Sequence, residues 1–196
     1  MLIMGRSAVH TSDSLLDHAV DLLASGGPAA VSMSALARTA GAPSGSVYHR
    51  FADRSTLLAA LWLRTTERFE EAFLDTLGPQ PSATSAVAAA AWTVAWCREH
   101  PGEAAVLQTG SRALAPGGWP TALAARLEEH EARRRRALVS CVHAVAEASG
   151  RPADEVSFAM FDLPLAVLRS YLGVGTPVPP AAIDRVHRIA TRLLLD

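Results

Sequence analysis

Helical periodicity runs through nearly the whole chain and restricts its fold more than any other feature. In the stretch SDSLLDHAVDLLASGG, the apolar side chains lie on one side, while Asp13, Asp17 and Asp21 recur every four residues on the other. This three- and four-residue spacing is typical of an amphipathic helix. No segment shows the alternating pattern of a strand, and no internal repeat is present. The sequence therefore predicts an all-α protein.

Glycine and proline residues divide the pattern into about nine helices. The first three end near Gly27, Gly41 and Phe51, and a long fourth helix covers about residues 54–77. The segment GPQPS at 78–82 is the first clear break, and five more helices follow, at about 83–99, 102–109, 120–149, 153–172 and 180–195. We expect two domains: a helix-turn-helix DNA-binding domain at residues 1–55, and a ligand-binding and dimerisation domain of helices at residues 56–196.

The segment GAPSGSVYHRF joins two short helices by a turn at Gly41–Pro43, which is the pattern of a helix-turn-helix. Val47 and Phe51 are expected to pack inward with Leu36 and Ala37 of the preceding helix. The remaining side chains then point outward, and their hydroxyl, imidazole and guanidinium groups suit phosphate and base edges: Ser44, Gly45, Ser46, Tyr48, His49 and Arg50. On these residues alone, a helical hairpin without DNA-binding activity remains an equally good interpretation.

The sequence VSMSALARTAGAPSGSVYHRFADRSTLLAAL resembles the DNA-binding head of the TetR family of bacterial transcriptional regulators. The similarity covers about residues 10–61, and its specific signature is the spacing of Ala37, Gly41, Gly45, Tyr48, Phe51 and Leu57-Leu58. The resemblance implies that residues 44–49 are the recognition helix, that Tyr48 and Arg54 contact phosphates, and that Ser32 caps the second helix. Ser44 stands where the family often has lysine, and Arg50 where it often has histidine.

The resemblance also implies a homodimer formed by the last two helices. The helix at 153–172 is apolar on two sides, so a helix of its own bundle and a second chain can each cover one of them. The expected interface residues are Val156, Met160, Leu163, Val167, Ile183, Val186, Ala190 and Leu193. A monomeric core is the alternative interpretation. Pro164 is expected to kink the first of these helices.

Aromatic side chains from several helices predict a pocket for an apolar, aromatic ligand, because small-molecule sites combine such linings with a few polar groups. The candidate residues are Trp62, Phe69, Trp92, Trp96, Arg112, Trp119, Phe158, Phe161 and Asp162. Taken singly, each is more typical of an ordinary core residue.

Composition narrows the functional classes. The net charge is −1, and all 18 basic residues are arginine, so no global basic field indicates nucleic acid or a membrane surface. Cys97 and Cys141 are expected to be free thiols in a reducing cytoplasm. We find no signal peptide, membrane span, metal-ligand spacing or catalytic motif, and expect neither cofactor nor metal.

The expected function is a homodimeric repressor that binds double-stranded operator DNA and is released by a small-molecule effector. A helical small-molecule enzyme is an alternative, as is an activator that needs no ligand. In EEHEARRRR at 128–136, Glu129–Arg133 and Glu131–Arg135 are expected to be solvated pairs one helical turn apart.

Overall fold

The structure is a computed structural model that describes residues 10–115, 117–172 and 176–196. All regular secondary structure in these ranges is helical, as the sequence predicts. The chain divides into two compact units. The first comprises Met1–Thr65, described from residue 10, and Ala105–Ala124; the second comprises Thr66–Ala104 and Ala125–Asp196.

The first unit begins with α1 (Ser12–Ala30), α2 (Met33–Thr39), α3 (Ser44–Arg50) and the start of α4 (Arg54–Leu77). Short polar side chains begin three of these helices, since each accepts a bond from an otherwise unpaired N–H. Thr11 Oγ1 accepts from the Ser14 N–H (3.1 Å), Ser32 Oγ from Ala35 (3.1 Å) and Asp53 Oδ1 from Thr56 (2.7 Å). Their common core contains Leu15, Leu36, Val47, Leu57 and Leu58, none more than 1% exposed.

The remaining helices are α5 (Ala83–Glu99), α6 (Pro101–Leu114), α7 (Thr121–Ser149), α8 and α9 (Pro180–Leu194). Gly27 in α1 and Gly110 in α6 have positive φ values of 67° and 76°, so each of these helices is interrupted there and resumes for a short final segment. The interruption in α1 lies where the sequence predicts its end. The continuation of α6 beyond residue 109 is longer than predicted.

Helix α8 runs from Ala153 to Leu172 and contains one turn of π-helix at Phe158–Asp162. The Leu163 N–H donates to the Phe158 carbonyl, five residues back. Pro164 follows immediately; it has no N–H, and its ring would crowd the carbonyl four residues earlier in a regular α-helix. The wider π-helical turn directly before Pro164 thus accommodates this proline, for which the sequence predicts a kink.

Helix α9 packs mainly on α5. Ala182, Val186 and Ala190 recur every four residues, are 0% exposed and form the buried stripe of α9. The facing helix α5 is rich in buried alanine, so the two backbones can approach closely. Small residues on both helices explain why this pair forms the core of the second unit.

Four of the predicted interface residues therefore lie in the chain's own core. Val156, Met160, Val186 and Ala190 are all 0% exposed and have no surface to offer a partner. Leu163 is 7% exposed, while the others are half-buried: Val167, Ile183 and Leu193. The large apolar side chains that α8 does expose are Phe158 (48%) and Leu165 (49%). This corrects the assignment of the four fully buried residues, whereas an interface role for Val167, Ile183 and Leu193 stays a prediction.

Within the described ranges, no helix is long and apolar enough to cross a membrane. Both cysteines are free, with Cys97 buried and Cys141 half-buried.

Candidate functional site

The turn between α2 and α3 is held by a glycine in the left-handed region. Gly41 has φ of 62°, the Ala40 N–H donates to Leu36 O (2.9 Å), and the Ala42 N–H donates to Ala37 O (2.9 Å). This pattern ends a helix sharply and satisfies its last carbonyls. A side chain at position 41 would be strained, because L-residues rarely adopt this φ. The turn therefore sets a defined angle between α2 and α3.

Helix α3 has one buried side and one exposed side. Val47 (0% exposed), followed by Phe51 (4%) directly after the helix, anchors it to the first unit. Tyr48 is 55% exposed, the largest exposure among the bulky apolar and aromatic side chains described. Ser44, Gly45 and His49 are also exposed, while Ser46 and Arg50 are half-buried. All six outward residues predicted from the sequence thus have accessible surface on this short helix.

Two other predicted DNA-binding residues already have partners within the protein. Ser32 Oγ caps α2, as expected. Arg54 Nε donates to Val31 O (2.7 Å) and its Nη2 donates to Pro28 O (2.6 Å). The Arg54 guanidinium therefore joins the start of α4 to the end of α1, a contact that the sequence did not indicate.

Acidic groups in the first unit are partly neutralised. Arg64 Nη1 donates to Asp17 Oδ1 (2.8 Å) and to Asp13 O (2.8 Å), with Asp13 Oδ1 at 3.8 Å. The Thr56 backbone N–H lowers the pKa of Asp53 below its ordinary value. Two of the three α1 carboxylates thus lie beside one arginine, which reduces their repulsion of a polyanion.

The second unit contains a cluster of aromatic rings. Phe69 lies 5.4 Å from Trp92 and 5.0 Å from Trp96 between ring centroids, and Phe73 lies 5.7 Å from Phe161. Such edge-to-face and tilted arrangements stabilise packed aromatic pairs. The structure therefore brings together four of the predicted ligand residues. Phe73 was missed, although it follows Phe69 by one helical turn and could have been found from that spacing. His100, also missed, lies 5.0 Å from Trp96 between ring centroids, with the two rings tilted by 38°.

The other predicted ligand residues lie elsewhere. Trp62, Arg112 and Trp119 belong to the first unit, where Trp62 is buried and Arg112 exposed. Phe158 and Asp162 are in the second unit but are exposed and make none of the ring contacts of this cluster.

A buried histidine lies between α4 and α7 in the second unit. His130 is 3% exposed, with Nε2 3.3 Å from Thr66 Oγ1 and 3.4 Å from Glu70 Oε2, and Nδ1 4.0 Å from Glu67 Oε1. Burial lowers the pKa of His130 below its ordinary value and raises the pKa of Glu70. Both shifts favour the uncharged forms of His130 and Glu70. The protonation of this polar contact between α7 and α4 therefore depends on its burial.

Comparisons with known proteins agree with this geometry. The profile of the bacterial regulatory proteins of the tetR family matches residues 15–61. The fold of the whole chain is similar to that of PfmR, a TetR-family transcriptional regulator from Thermus thermophilus, with a TM-score of 0.71, 17% identity and coverage of 95% of this chain and 96% of that one. No curated protein matches the sequence significantly.

Two further solved structures share the fold. A TetR-family transcription regulator from Marinobacter aquaeolei VT8 aligns with a TM-score of 0.70 and 16% identity over 93% of this chain and 94% of that one. KstR2, the ketosteroid transcriptional regulator of Mycobacterium tuberculosis, aligns with a TM-score of 0.67 and 18% identity over 98% of this chain and 97% of that one. Residues 15–61 therefore match the DNA-binding domain of the bacterial regulatory proteins of the tetR family, and nearly the whole chain has the fold of solved TetR-family regulators.

Proposed function

We propose that the chain is a cytoplasmic, homodimeric repressor, without catalytic activity, cofactor or metal, that binds double-stranded operator DNA through residues 1–55 and is released by an apolar effector bound within residues 56–196. The observation that carries this proposal is the exposed side of α3, where hydroxyl, phenol and imidazole groups stand on a helix anchored by Val47 and Phe51. A helix of this kind reads base edges when it lies in the major groove.

Base reading is assigned to Ser44, Ser46 and His49, while Tyr48 contacts phosphate. Removing the first three side chains together should change the preferred sequence, because each mismatch at a read position typically costs about 1–3 kcal/mol. Tyr48→Phe should weaken binding to all sequences similarly, since phosphate contacts carry no sequence information.

The test is a selection of bound fragments from a random duplex library. Wild type, the triple alanine variant and Ser25→Ala are compared; Ser25 is an exposed serine of α1 and serves as the matched hydroxyl control. We expect wild type and Ser25→Ala to select one motif and the triple variant another. The same motif from all three proteins would refute the assignment of base reading to α3.

The dimer is assigned to the exposed side of α8. Phe158 and Leu165 are about half exposed, although an aromatic ring and a leucine gain most from burial. A second copy covering both would remove this apolar surface from water. It would also place two recognition helices on half-sites related by the two-fold axis.

Effector release is assigned to the aromatic cluster around Phe69, Trp92 and Trp96. Helix α4 carries Phe69 and begins at Arg54, three residues after Phe51. A ligand that separates these rings would displace α4 and favour a dimer spacing that no longer fits both half-sites. A coupling of about 1–3 kcal/mol is typical of such regulation. Trp96→Ala should reduce the response to effector but keep DNA affinity, and normal release by a folded variant would refute this role.

A further inference from the structure

A groove in the second unit runs along the surface between α7 and α8. Its volume is about 320 Å³, within the range of small-molecule sites. Leu138, Val139 and Val142 of α7 and Phe161 of α8 form its apolar walls. Phe161 also packs on Phe73, so a ring of the aromatic cluster forms part of this wall.

The polar part of the groove carries positive charge from two arginines. Arg134, Arg135 and His143 line it, and none of the residues that line it is acidic. Arg135 and His143 are eight positions apart on α7, so the α7 side of the groove is about 12 Å long. An apolar channel with two guanidinium groups at one end is complementary to an elongated apolar molecule that carries an anionic group.

The arginines are not fully paired. The sequence predicts a Glu131–Arg135 pair, but Glu131 Oε2 instead accepts from Arg134 Nη2 (2.6 Å). Among the described residues, no carboxylate lies within 4 Å of the Arg135 guanidinium. Arg134 Nε is buried and makes no hydrogen bond, and the Glu70 Oε1 oxygen on α4 lies 3.7 Å away from it. Two guanidinium groups therefore have donors available for an anion.

We propose that this groove binds an amphipathic organic monocarboxylate, with its apolar body along Val139, Val142 and Phe161 and its carboxylate on Arg135 and Arg134. Binding of the carboxylate draws Arg134 away from Glu70. Because Glu70 belongs to α4, this exchange changes a charge contact of the helix that begins at the DNA-binding domain. The regulatory part of the proposal rests on the proposed function, whereas the binding itself does not.

A carboxylate ligand fits the groove better than a second copy of the chain does. If the groove lay on the two-fold axis of a dimer, its arginines would face those of an identical groove, and burying unpaired like charges is costly. A small anion neutralises the same charges. The exposed Phe158 and Leu165, assigned above to the dimer, are not among the groove's lining residues.

The test is a calorimetric titration of the full-length protein with decanoate, without DNA. Arg135→Ala should weaken decanoate binding about tenfold or more, as expected for loss of a charge-assisted bond. Arg136→Ala removes the same charge from the next residue of α7, which does not line the groove, and should bind as wild type does. The neutral alcohol 1-decanol should bind weakly to all three proteins.

A second comparison tests the exchange of Arg134. Glu70→Gln removes the competing carboxylate, so its decanoate affinity should rise several-fold. Glu71→Gln is the matched control, because the exposed Glu71 is the next residue of α4 and makes no ion pair among the described residues. Equal affinities for both variants would refute the exchange.

Three results would overturn the proposal: no decanoate binding by wild type, equal binding by Arg135→Ala and wild type, or conversion of a dimer to monomers by Val139→Glu, which would place the groove in the dimer interface. The selection of DNA fragments described above is independent of decanoate. A failure of the proposed regulator function would therefore appear in that selection and not in these titrations.

Discussion

Replacing Arg54 by alanine separates two roles for this residue. In the structure, Arg54 Nε donates to Val31 O (2.7 Å) and Nη2 to Pro28 O (2.6 Å), so the side chain holds the end of α1 against the start of α4. The family resemblance instead implies a phosphate contact. Alanine removes both the internal hydrogen bonds and the phosphate contact. Loss of the hydrogen bonds lowers Tm, whereas loss of the phosphate contact changes the salt dependence of DNA binding.

The loss of stability can be worked from these two bonds. A hydrogen bond from a charged donor contributes about 1.5–3 kcal/mol when well shielded. The bond to Val31 is partly buried and contributes about 1.5 kcal/mol, whereas the exposed bond to Pro28 contributes about 0.5 kcal/mol, so their sum is about 2 kcal/mol. For a protein of 196 residues, this corresponds to a decrease of about 4–8 °C in Tm.

A phosphate contact predicts a change in salt dependence. Loss of one such contact reduces the slope of log Kd against log salt by about one unit per DNA-binding domain. The assays are therefore thermal unfolding and DNA binding at several salt concentrations, both on the same preparations. Arg54→Lys keeps the charge but lacks the planar fork, and Arg38→Ala is the control that removes an exposed arginine of α2.

If Arg54 is mainly a structural link, Arg54→Ala and Arg54→Lys both melt earlier than wild type, and Arg38→Ala does not. The salt slope of Arg54→Ala then equals that of wild type. A wild-type Tm for Arg54→Ala together with a smaller salt slope would refute the reasoning from these hydrogen bonds.

Three further predictions concern the second unit. Leu165→Glu should give a folded monomer in sedimentation, because it places a charge in the proposed interface without changing the core; an intact dimer would contradict the assignment. Because burial lowers the pKa of His130, the unfolded chain binds a proton at higher pH than the folded protein, so stability falls as the pH drops below about 6.5. Burial raises the pKa of Glu70, so Glu70 has the opposite effect: its contribution to stability falls as the pH rises above the pKa that it has in the unfolded chain. His130→Gln should therefore lose less stability than wild type between pH 7 and pH 5 in urea unfolding, and an identical pH dependence would exclude His130 as its cause. Finally, burial raises the pKa of Cys97 to about 12, whereas Cys141 is half-buried, so a thiol reagent at pH 8 should modify Cys141 first; equal rates would contradict this order.

Local features of the fold could be predicted from the sequence alone. The caps at Thr11, Ser32 and Asp53, the turn at Gly41 and the helices of the described ranges depend on residues within a few positions of one another. The outward side of α3 could be predicted for the same reason, since it follows from the helical spacing of Val47 and Phe51. Short-range hydrogen bonds and periodicity are encoded within each segment, so no knowledge of the other segments is needed.

Contacts between distant segments were decided only by the tertiary structure. The stripe through Val186 and Ala190 has the periodicity of a dimer face, but its small residues match the alanine-rich α5 of the same chain and are buried there. Arg54 has carbonyl partners 23 and 26 residues away, and Arg134 has Glu70 on another helix. A helical pattern predicts that a side is covered but does not say by which segment, because packing depends on the shapes and charges of both partners.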